Sequence, residues 1–303
     1  MNVLQYLLDA LSLGGLYAMA ALGVGLLFGV MRLINFAFGD YITWGAYALV
    51  IPSTAQIATP YIGGWPSGPL VFAIIVIVGA IALLTNRLAF RPLRSAEPAT
   101  LLIASFAVSY LLQNLILLVY SGRPKSIDLW HQLTVPVDLG GSQVPLVDLL
   151  TILVCLASLA LLAAFLKFTR TGMEIRAASE NLRMATLLGI RTNRIIAVSF
   201  AIVGVLAAIT ALILVVKTGR LDYRLGVPLT ISGFMATAIG GMGSLSGPVL
   251  GGFLLGAVTV FLQFALPEEL RDMRQTLVFA VVLVLLVCLP GGLVRSRGGE
   301  ERV

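Results

Sequence analysis

Charged residues are scarce in this sequence. Only 11% of its 303 residues are Asp, Glu, Lys or Arg, whereas 59% are hydrophobic and the mean hydropathy is +1.01. Soluble domains are about one-quarter charged, so this composition excludes an ordinary soluble domain and indicates a polytopic membrane protein. The net charge is +6, but the basic residues lie between apolar runs without interleaved aromatics, which argues against a nucleic-acid surface.

Residues that bind metals or perform nucleophilic catalysis are also few. His131 is the only histidine, and the two cysteines, Cys155 and Cys288, both lie inside apolar runs. These counts argue against a zinc site, a Ser-His-Asp triad and a disulfide framework. We therefore expect no catalytic residue and no metal site, and the chain is predicted not to be an enzyme.

Long apolar runs predict an all-α membrane protein with about eight transmembrane helices in one domain, residues 1–303. The runs cover about 6–30, 38–58, 70–90, 99–120, 147–167, 195–216, 247–266 and 276–294. A shorter piece at about 228–241 predicts a half-helix or re-entrant turn. The first run lacks the basic n-region of a cleavable signal peptide, so we expect it to be retained. No repeat of fixed period is evident.

The distribution of Lys and Arg predicts the orientation. Thirteen of these 20 residues lie in one set of connections, which includes the loop 171–191 and the C-terminus, and seven lie in the other set. The first set is therefore predicted to be cytoplasmic. The N-terminus and the loop 121–147 then lie outside, and the prolines and glycines of that loop predict turns rather than one long helix.

The connection from Thr171 to Arg191 is polar, basic and helix-forming. Ala178, Leu182 and Ala185 form a narrow apolar stripe along one predicted helix. Gly189 follows where the end of a helix favours positive φ. Two interpretations fit this pattern: an amphipathic helix on the lipid surface, or a docking helix for a cytoplasmic partner.

Polar residues interrupt the apolar runs at two places. Asn35, Gly39 and Asp40 stand at the start of the second run, where they either cap a helix at the membrane face or line a pathway. Gln113 and Asn114 lie within the fourth run. Amides in such a position either bond to a neighbouring helix or line a translocation path.

Glycines cluster towards the C-terminal end of the chain. The GxxxxGK[ST] phosphate loop is absent, so nucleotide binding is not expected here. Gly247 and Gly251, like Gly252 and Gly256, are four residues apart, a spacing that lets helices approach closely. We expect these glycines to serve helix packing, and an unwound segment near the mouth of a pathway is the alternative.

Four stretches in chain order carry a family resemblance. They are GLYAMAALGVGLLFGVMRLINFAFGD, TRTGMEIRAASENLRMATLLGI, AIGGMGSLSGPVLGGFLLGA and LVLLVCLPGGLV. Together they resemble the LivH-type permease subunits of branched-chain amino acid ABC importers, and the resemblance covers nearly the whole chain. One departure is Phe38, which stands where the family often has a histidine or another polar residue.

This resemblance implies a multi-pass permease of the bacterial inner membrane with a periplasmic N-terminus and a cytoplasmic C-terminus. The implied partners are a LivM-like permease subunit, two cytoplasmic ATPase subunits and a periplasmic solute-binding protein, besides the lipid bilayer. No cofactor is implied on this chain, because the partner subunits use the ATP. Residues 171–191 would form the coupling helix, and the implied docking positions are Arg176, Ala177, Asn181, Ala185 and Gly189.

The expected function is translocation of branched-chain or other hydrophobic amino acids, with ATP energy entering mechanically through the coupling helix. The family also includes permeases for urea and short amides, so such a permease is the alternative. An ion-coupled secondary transporter is the alternative from another class. It would need acidic residues buried within the spans, where only Asp9 and Asp40 come near to qualifying.

Overall fold

The computed structural model describes residues 3–94, 96–139, 142–242, 246–289 and 291–294. Parts of three expected features lie outside the described residues: the centre of the glycine cluster, Gly140 and Gly141 of the outer loop, and the C-terminal arginines. Within the described residues the protein is almost entirely helical, as the composition predicts.

The helices are α1 (Val3–Met31), α2 (Phe38–Tyr47), α3 (Ser67–Thr85), α4 (Pro98–Tyr120), α5 (Leu146–Phe168), α6 (Arg170–Glu180), α7 (Leu182–Leu187), α8 (Thr192–Thr218), α9 (Val227–Gly240), α10 (Gly247–Ala265) and α11 (Arg274–Cys288). The strands are β1 (Lys125–Ser126), β2 (Pro136–Leu139), β3 (Ser142–Pro145) and β4 (Arg220–Leu221). In the described part of the chain, six helices are long and apolar enough to cross a membrane: α1, α3, α4, α5, α8 and α10.

The second expected span, 38–58, is wrong. Only the ten-residue helix α2 forms there, and the chain then crosses to Ser67 in irregular structure with one short 3-10 turn. Prolines 52, 60 and 66 have no N–H to donate to a helix. The Leu49 carbonyl instead accepts the N–H groups of Tyr61 and Gly63. The last helix also ends early, at Cys288, because Pro290 disfavours a helical conformation in the residue before it.

The single helix expected over 171–191 is two helices, α6 and α7. They are separated at Asn181, which has an extended backbone (φ −152°, ψ 100°). The Asn181 side-chain oxygen accepts the N–H of Met184 at 3.0 Å and so caps α7. An amphipathic pattern alone does not reveal this break, because the apolar stripe continues across it.

Short strands lie on one side of the bundle. β1 pairs with β4 in antiparallel fashion, and β2 forms a hairpin with β3. These strands, with the irregular segment that follows α2, make what we call the strand face. The opposite side carries α6 and α7, and we call it the α6–α7 face.

The helices α1 and α8 form the centre of the bundle and run in opposite directions between these faces. α1 packs on α8, α9 and α10, whereas α8 packs on α1, α2 and α3. The first half, α1–α4, and the second half, α8–α11, thus show matching packing with opposite polarity. This is the arrangement of an inverted repeat, which the sequence does not reveal by eye.

A partly buried ion pair ties three helices together near the strand face. Lys217 of α8 donates to Asp148 at the start of α5 at 2.6 Å, and Ser12 of α1 donates to the same carboxylate oxygen at 2.9 Å. Charges of opposite sign that share hydrogen bonds in this way offset part of the cost of their desolvation. Asp148 and Lys217 therefore have a structural role, as an ion pair between the start of α5 and the end of α8.

The glycines of α10 allow it to touch α1 backbone to backbone. A Cβ atom added to Gly252 would lie 2.3 Å from the Cα of Ala18, and one added to Gly256 would lie 2.3 Å from the Cα of Gly14. A Cβ added to Gly251 would lie 2.0 Å from the Ala236 carbonyl oxygen of α9. One added to Gly240 would lie 2.0 Å from the Gly247 carbonyl oxygen. All four glycines singled out in the sequence therefore lie at close helix contacts.

We predict that Gly252→Ala destabilises the protein by about 1–3 kcal/mol, because the new methyl group collides with backbone atoms that cannot move away. Gly79→Ala is the matched control, since Gly79 lies within the spanning helix α3 and a Cβ there meets nothing within 4 Å. Thermal unfolding of the purified proteins in detergent measures both. An equal effect of the two variants would contradict the close α1–α10 contact.

Candidate translocation and coupling sites

Two short helices meet with their N-terminal ends inside the bundle. α2 has 10 residues and α9 has 14. At 1.5 Å per residue they are about 15 and 21 Å long, so each is shorter than the roughly 30 Å hydrocarbon core. Gly39 of α2 and Gly226 before α9 touch directly, because a Cβ on Gly226 would lie 2.0 Å from the Gly39 carbonyl oxygen. The positive ends of both helix dipoles therefore converge in the interior.

Hydroxyl groups hold this crossing together. Thr43 donates to the Gly39 carbonyl at 2.9 Å and accepts the N–H of Gly226 at 3.1 Å. Thr230 of α9 donates to the Gly226 carbonyl, also at 3.1 Å. Since Thr43 is fully buried, its hydroxyl satisfies backbone groups that water does not reach.

Asp40 stands in the first turn of α2, beside this crossing. Its side chain is fully buried, and neither carboxyl oxygen has a hydrogen-bond partner in the described part of the chain. Ser109 and Gln113 of α4 face the carboxyl without completing a bond to it. The Gln113 amide instead donates to Ser109 at 3.1 Å within α4. The fold thus brings Asp40 and Gln113 together from separate helices.

Asn35 lies just before this turn and Phe38 begins it, and both are fully buried. The Asn35 side-chain oxygen accepts the N–H of Ala37 at 3.2 Å, but its amide nitrogen has no partner among the described residues. No side chain caps α2, so the expected cap role of Asn35 or Asp40 is wrong. The Phe38 ring fills the space over Gly23 of α1, where a Cβ would lie 2.5 Å from it. Phe38 therefore serves packing at the position where the sequence departs from the family that it resembles.

Asn114 lies apart from this group. It is exposed on the outer side of α4 and donates to the Tyr110 carbonyl at 2.7 Å, within its own helix. Tyr110 is 71% exposed on the same side. Among the described residues, the hydrogen bonds of Gln113 and Asn114 stay within α4, although Gln113 also faces Asp40 of α2.

A wide groove of about 790 Å³ lies between α1, α5, α6 and α10. Its walls are mainly leucine and alanine, and Lys167, Arg176 and Glu180 stand at its polar end. Asp40, Gln113 and Asn114 are not among its lining residues. The groove is therefore separate from the polar crossing of α2 and α9.

The docking positions expected on 171–191 divide into an outer and an inner group. Arg176, Ala177, Asn181 and Gly189 are exposed, whereas Ala185 is buried against the bundle. Gly189 has φ +85°, a backbone conformation that residues other than glycine rarely adopt. Four positions can therefore contact a partner directly, and Ala185 can only support them.

Sequence reasoning missed the exposed apolar side chains of this surface. Met173, Met184, Leu187 and Leu188 are 51%, 56%, 76% and 81% exposed. The sequence does carry a signal for them, because they are large apolar residues outside the buried stripe of a polar segment. Such side chains at a surface mark a contact with another protein or with lipid.

A tight elbow connects this surface to the spanning helix α5. Thr169 caps α6 by accepting the N–H of Gly172 at 3.0 Å. A Cβ on Gly172 would lie 2.2 Å from the Phe165 carbonyl, so the two helices pack closely at the bend. The bend between α5 and α6 is therefore tightly packed.

Comparison with known proteins gives consistent matches. The family described as "Branched-chain amino acid transport system / permease component" matches residues 6–287. The chain is 30% identical to the high-affinity branched-chain amino acid transport system permease protein BraD of Pseudomonas aeruginosa, over 100% of this chain and 98% of that protein. It is 30% identical to LivH of Escherichia coli K12, over 99% and 97%. No solved structure gives a significant match.

We predict that Thr43→Val lowers the free energy of unfolding by about 1–3 kcal/mol, because the Gly226 N–H remains buried without a partner. Thr210→Val is the matched control: Thr210 is equally buried but donates only to the Leu206 carbonyl one turn earlier. Thermal unfolding in detergent compares the variants. Equal losses would show that the hydroxyl bridge between α2 and α9 adds no stability.

Proposed function

Because this chain belongs to the family of permease components of branched-chain amino acid transport systems, we propose that it translocates branched-chain or other hydrophobic amino acids. It is a multi-pass transport subunit of an ATP-binding cassette importer and not an enzyme. A periplasmic binding protein delivers the substrate, and separate ATPase subunits hydrolyse ATP. The α6–α7 face is cytoplasmic in this proposal, and the strand face receives the binding protein.

The outer side of α4 is the observation that carries the proposal. Tyr110 and Asn114 are exposed there within a spanning helix, and the half-exposed Gln113 connects them to the buried Asp40. A polar side chain facing lipid costs on the order of 2–3 kcal/mol, so another protein is expected to cover this side. We propose that a LivM-like permease covers it and that the path runs between the two subunits.

The polar crossing of α2 and α9 lies beside this path. Asn35, Gly39 and Asp40 belong to it, with Gln113 between the crossing and the outer side of α4. A path of amides, hydroxyls and helix N-termini interacts with both charged groups of an amino acid without holding either one firmly. Such weak binding suits a permease whose selectivity rests with the binding protein.

Energy from ATP enters at the α6–α7 surface. Met173, Ala177, Met184 and Leu188 offer apolar contacts, and Arg176 adds a charged one. Closure of the two ATPases displaces α6, and the Gly172 elbow passes the motion to α5. α8 begins at Thr192, directly after this surface, and so receives the same push. α5 and α8 then rock against the central helix α1.

The substrate class is tested with the reconstituted complex of both permeases and both ATPases. Leucine, isoleucine or valine, each supplied with its binding protein, should stimulate ATP hydrolysis several-fold. Urea and acetamide, supplied with binding proteins that recognise them, should not. Stimulation by the amides alone would assign the chain to the amide permeases, and substrate uptake driven by a sodium or proton gradient without ATP would contradict the importer.

The coupling surface is tested by Leu188→Gln. Leu188 is 81% exposed, so the permease should fold normally, but the lost apolar contact should weaken stimulated ATP hydrolysis about tenfold. Leu88→Gln is the matched control, since Leu88 is 68% exposed just after the end of α3 and belongs to neither α6 nor α7. Unchanged stimulation in Leu188→Gln, or an equal loss in the control, would remove α7 from the coupling surface.

A further inference from the structure

A second pocket, of about 360 Å³, lies between the end of α3 and the start of α8. It shares no residue with the polar crossing or the α6–α7 surface. Four arginines and two asparagines supply its polar lining: Arg87, Arg91, Arg94, Arg194, Asn86 and Asn193. This lining is typical of an anion site, because one guanidinium group donates two parallel hydrogen bonds to a phosphate or a carboxylate.

A π-turn at the end of α3 gathers three of the arginines. The N–H of Arg91 donates to the Asn86 carbonyl at 2.7 Å, five residues back, over the π-helical stretch Asn86–Phe90. Arg87, Arg91 and Arg94 are spaced four and three residues apart, so they lie on one side of the continuing turns. Arg194 reaches the same pocket from α8. π-turns inside helices occur frequently at functional sites.

Arg94 is held in place by amides from both helices. It donates to Asn86 of α3 at 3.3 Å and also to Asn193 of α8. Its Nε atom is buried and has no partner among the described residues. Burial, together with the neighbouring Arg91, lowers the pKa of this guanidinium. The Nε–H of Arg94 thus has no acceptor among the described residues, although Asn86 and Asn193 hold its side chain in place.

No carboxylate of the described residues neutralises these positive charges. Arg87, Arg91 and Arg194 are exposed and form no ion pair there. Four like charges around one pocket repel one another, and a bound anion relieves that repulsion. The charge of the pocket therefore favours the binding of an anion that the described residues do not supply.

The position of the pocket indicates the kind of anion. The apolar span of α3 ends at Phe90, and that of α8 begins at Thr192, so the arginines lie at the edge of the hydrocarbon region. Leu83 lines the pocket, and Val76 and Leu84 continue as exposed apolar side chains along α3. An anionic group at the pocket is thus continuous with a surface for hydrocarbon chains.

We propose that this pocket binds the phosphate headgroup of an anionic phospholipid, whose acyl chains lie along α3. The phosphate bridges Arg91, in the turn that follows α3, and Arg194 of α8, beside Arg94. The lipid therefore fastens α3 to α8, the helix that directly follows the α6–α7 surface. This site does not depend on which substrate the permease carries.

The test compares lipid retention by the full-length chain in detergent, using native mass spectrometry with added phosphatidylglycerol or phosphatidylcholine. We expect phosphatidylglycerol to be retained preferentially. The double variant Arg91→Gln/Arg194→Gln, which changes two exposed side chains, should weaken its apparent affinity at least about tenfold. Arg170→Gln is the matched control, because Arg170 is exposed at the start of α6 but does not line the pocket.

Three outcomes would overturn the proposal. The first is equal retention of phosphatidylglycerol and phosphatidylcholine. The second is equal weakening in the double variant and in Arg170→Gln, which would indicate general charge attraction. The third is displacement of the lipid by millimolar inorganic phosphate, which would make this a site for a soluble anion.

Discussion

The crossing of α2 and α9 is the contact on which the interior of this permease depends. Within a bilayer, each backbone N–H and C=O must find a partner inside the protein. Two helices that begin in the interior expose their first N–H groups there, and such ends are stable only where other groups satisfy them. The Thr43 hydroxyl does so for Gly226, and the absence of side chains on Gly39 and Gly226 lets the two backbones come within its reach.

The long helices α1 and α8 form the frame that holds this crossing. Each contacts the short helix of the other half, since α1 packs on α9 and α8 packs on α2. The glycines of α10 bring α1 close enough to fix one half, and the partly buried ion pair of Asp148 and Lys217 fixes the other end of α8. In the proposed mechanism, a push on the α6–α7 face would reach both halves, because α8 begins directly after that face and α1 ends beside Ser179 of α6.

Several features followed from local sequence, and others depended on contacts between distant residues. The spans of α1, α4, α5 and α8 were predicted because each is one uninterrupted apolar run, and the short α9 because its run is short. The span 38–58 was wrong because hydrophobicity was counted without the prolines that prevent a helix after Tyr47. The break at Asn181 was missed because a capping asparagine inside an amphipathic segment is indistinguishable, by periodicity, from an ordinary helical one. The roles of the proposed path and coupling residues stay predictions.

By itself, the sequence determined the class of the protein. Its composition places it in a membrane, its single histidine and the absence of a phosphate loop argue against a zinc or nucleotide site, and its four motifs indicate the family. Each of these is a property of single residues or of neighbours along the chain. Only the tertiary structure decided that Asp40 meets Gln113, that Asn114 faces outwards, and that four arginines from α3 and α8 share one pocket. Such pairings depend on how helices far apart in sequence are packed, and that packing is set jointly by glycines, hydroxyls and charges on all of them.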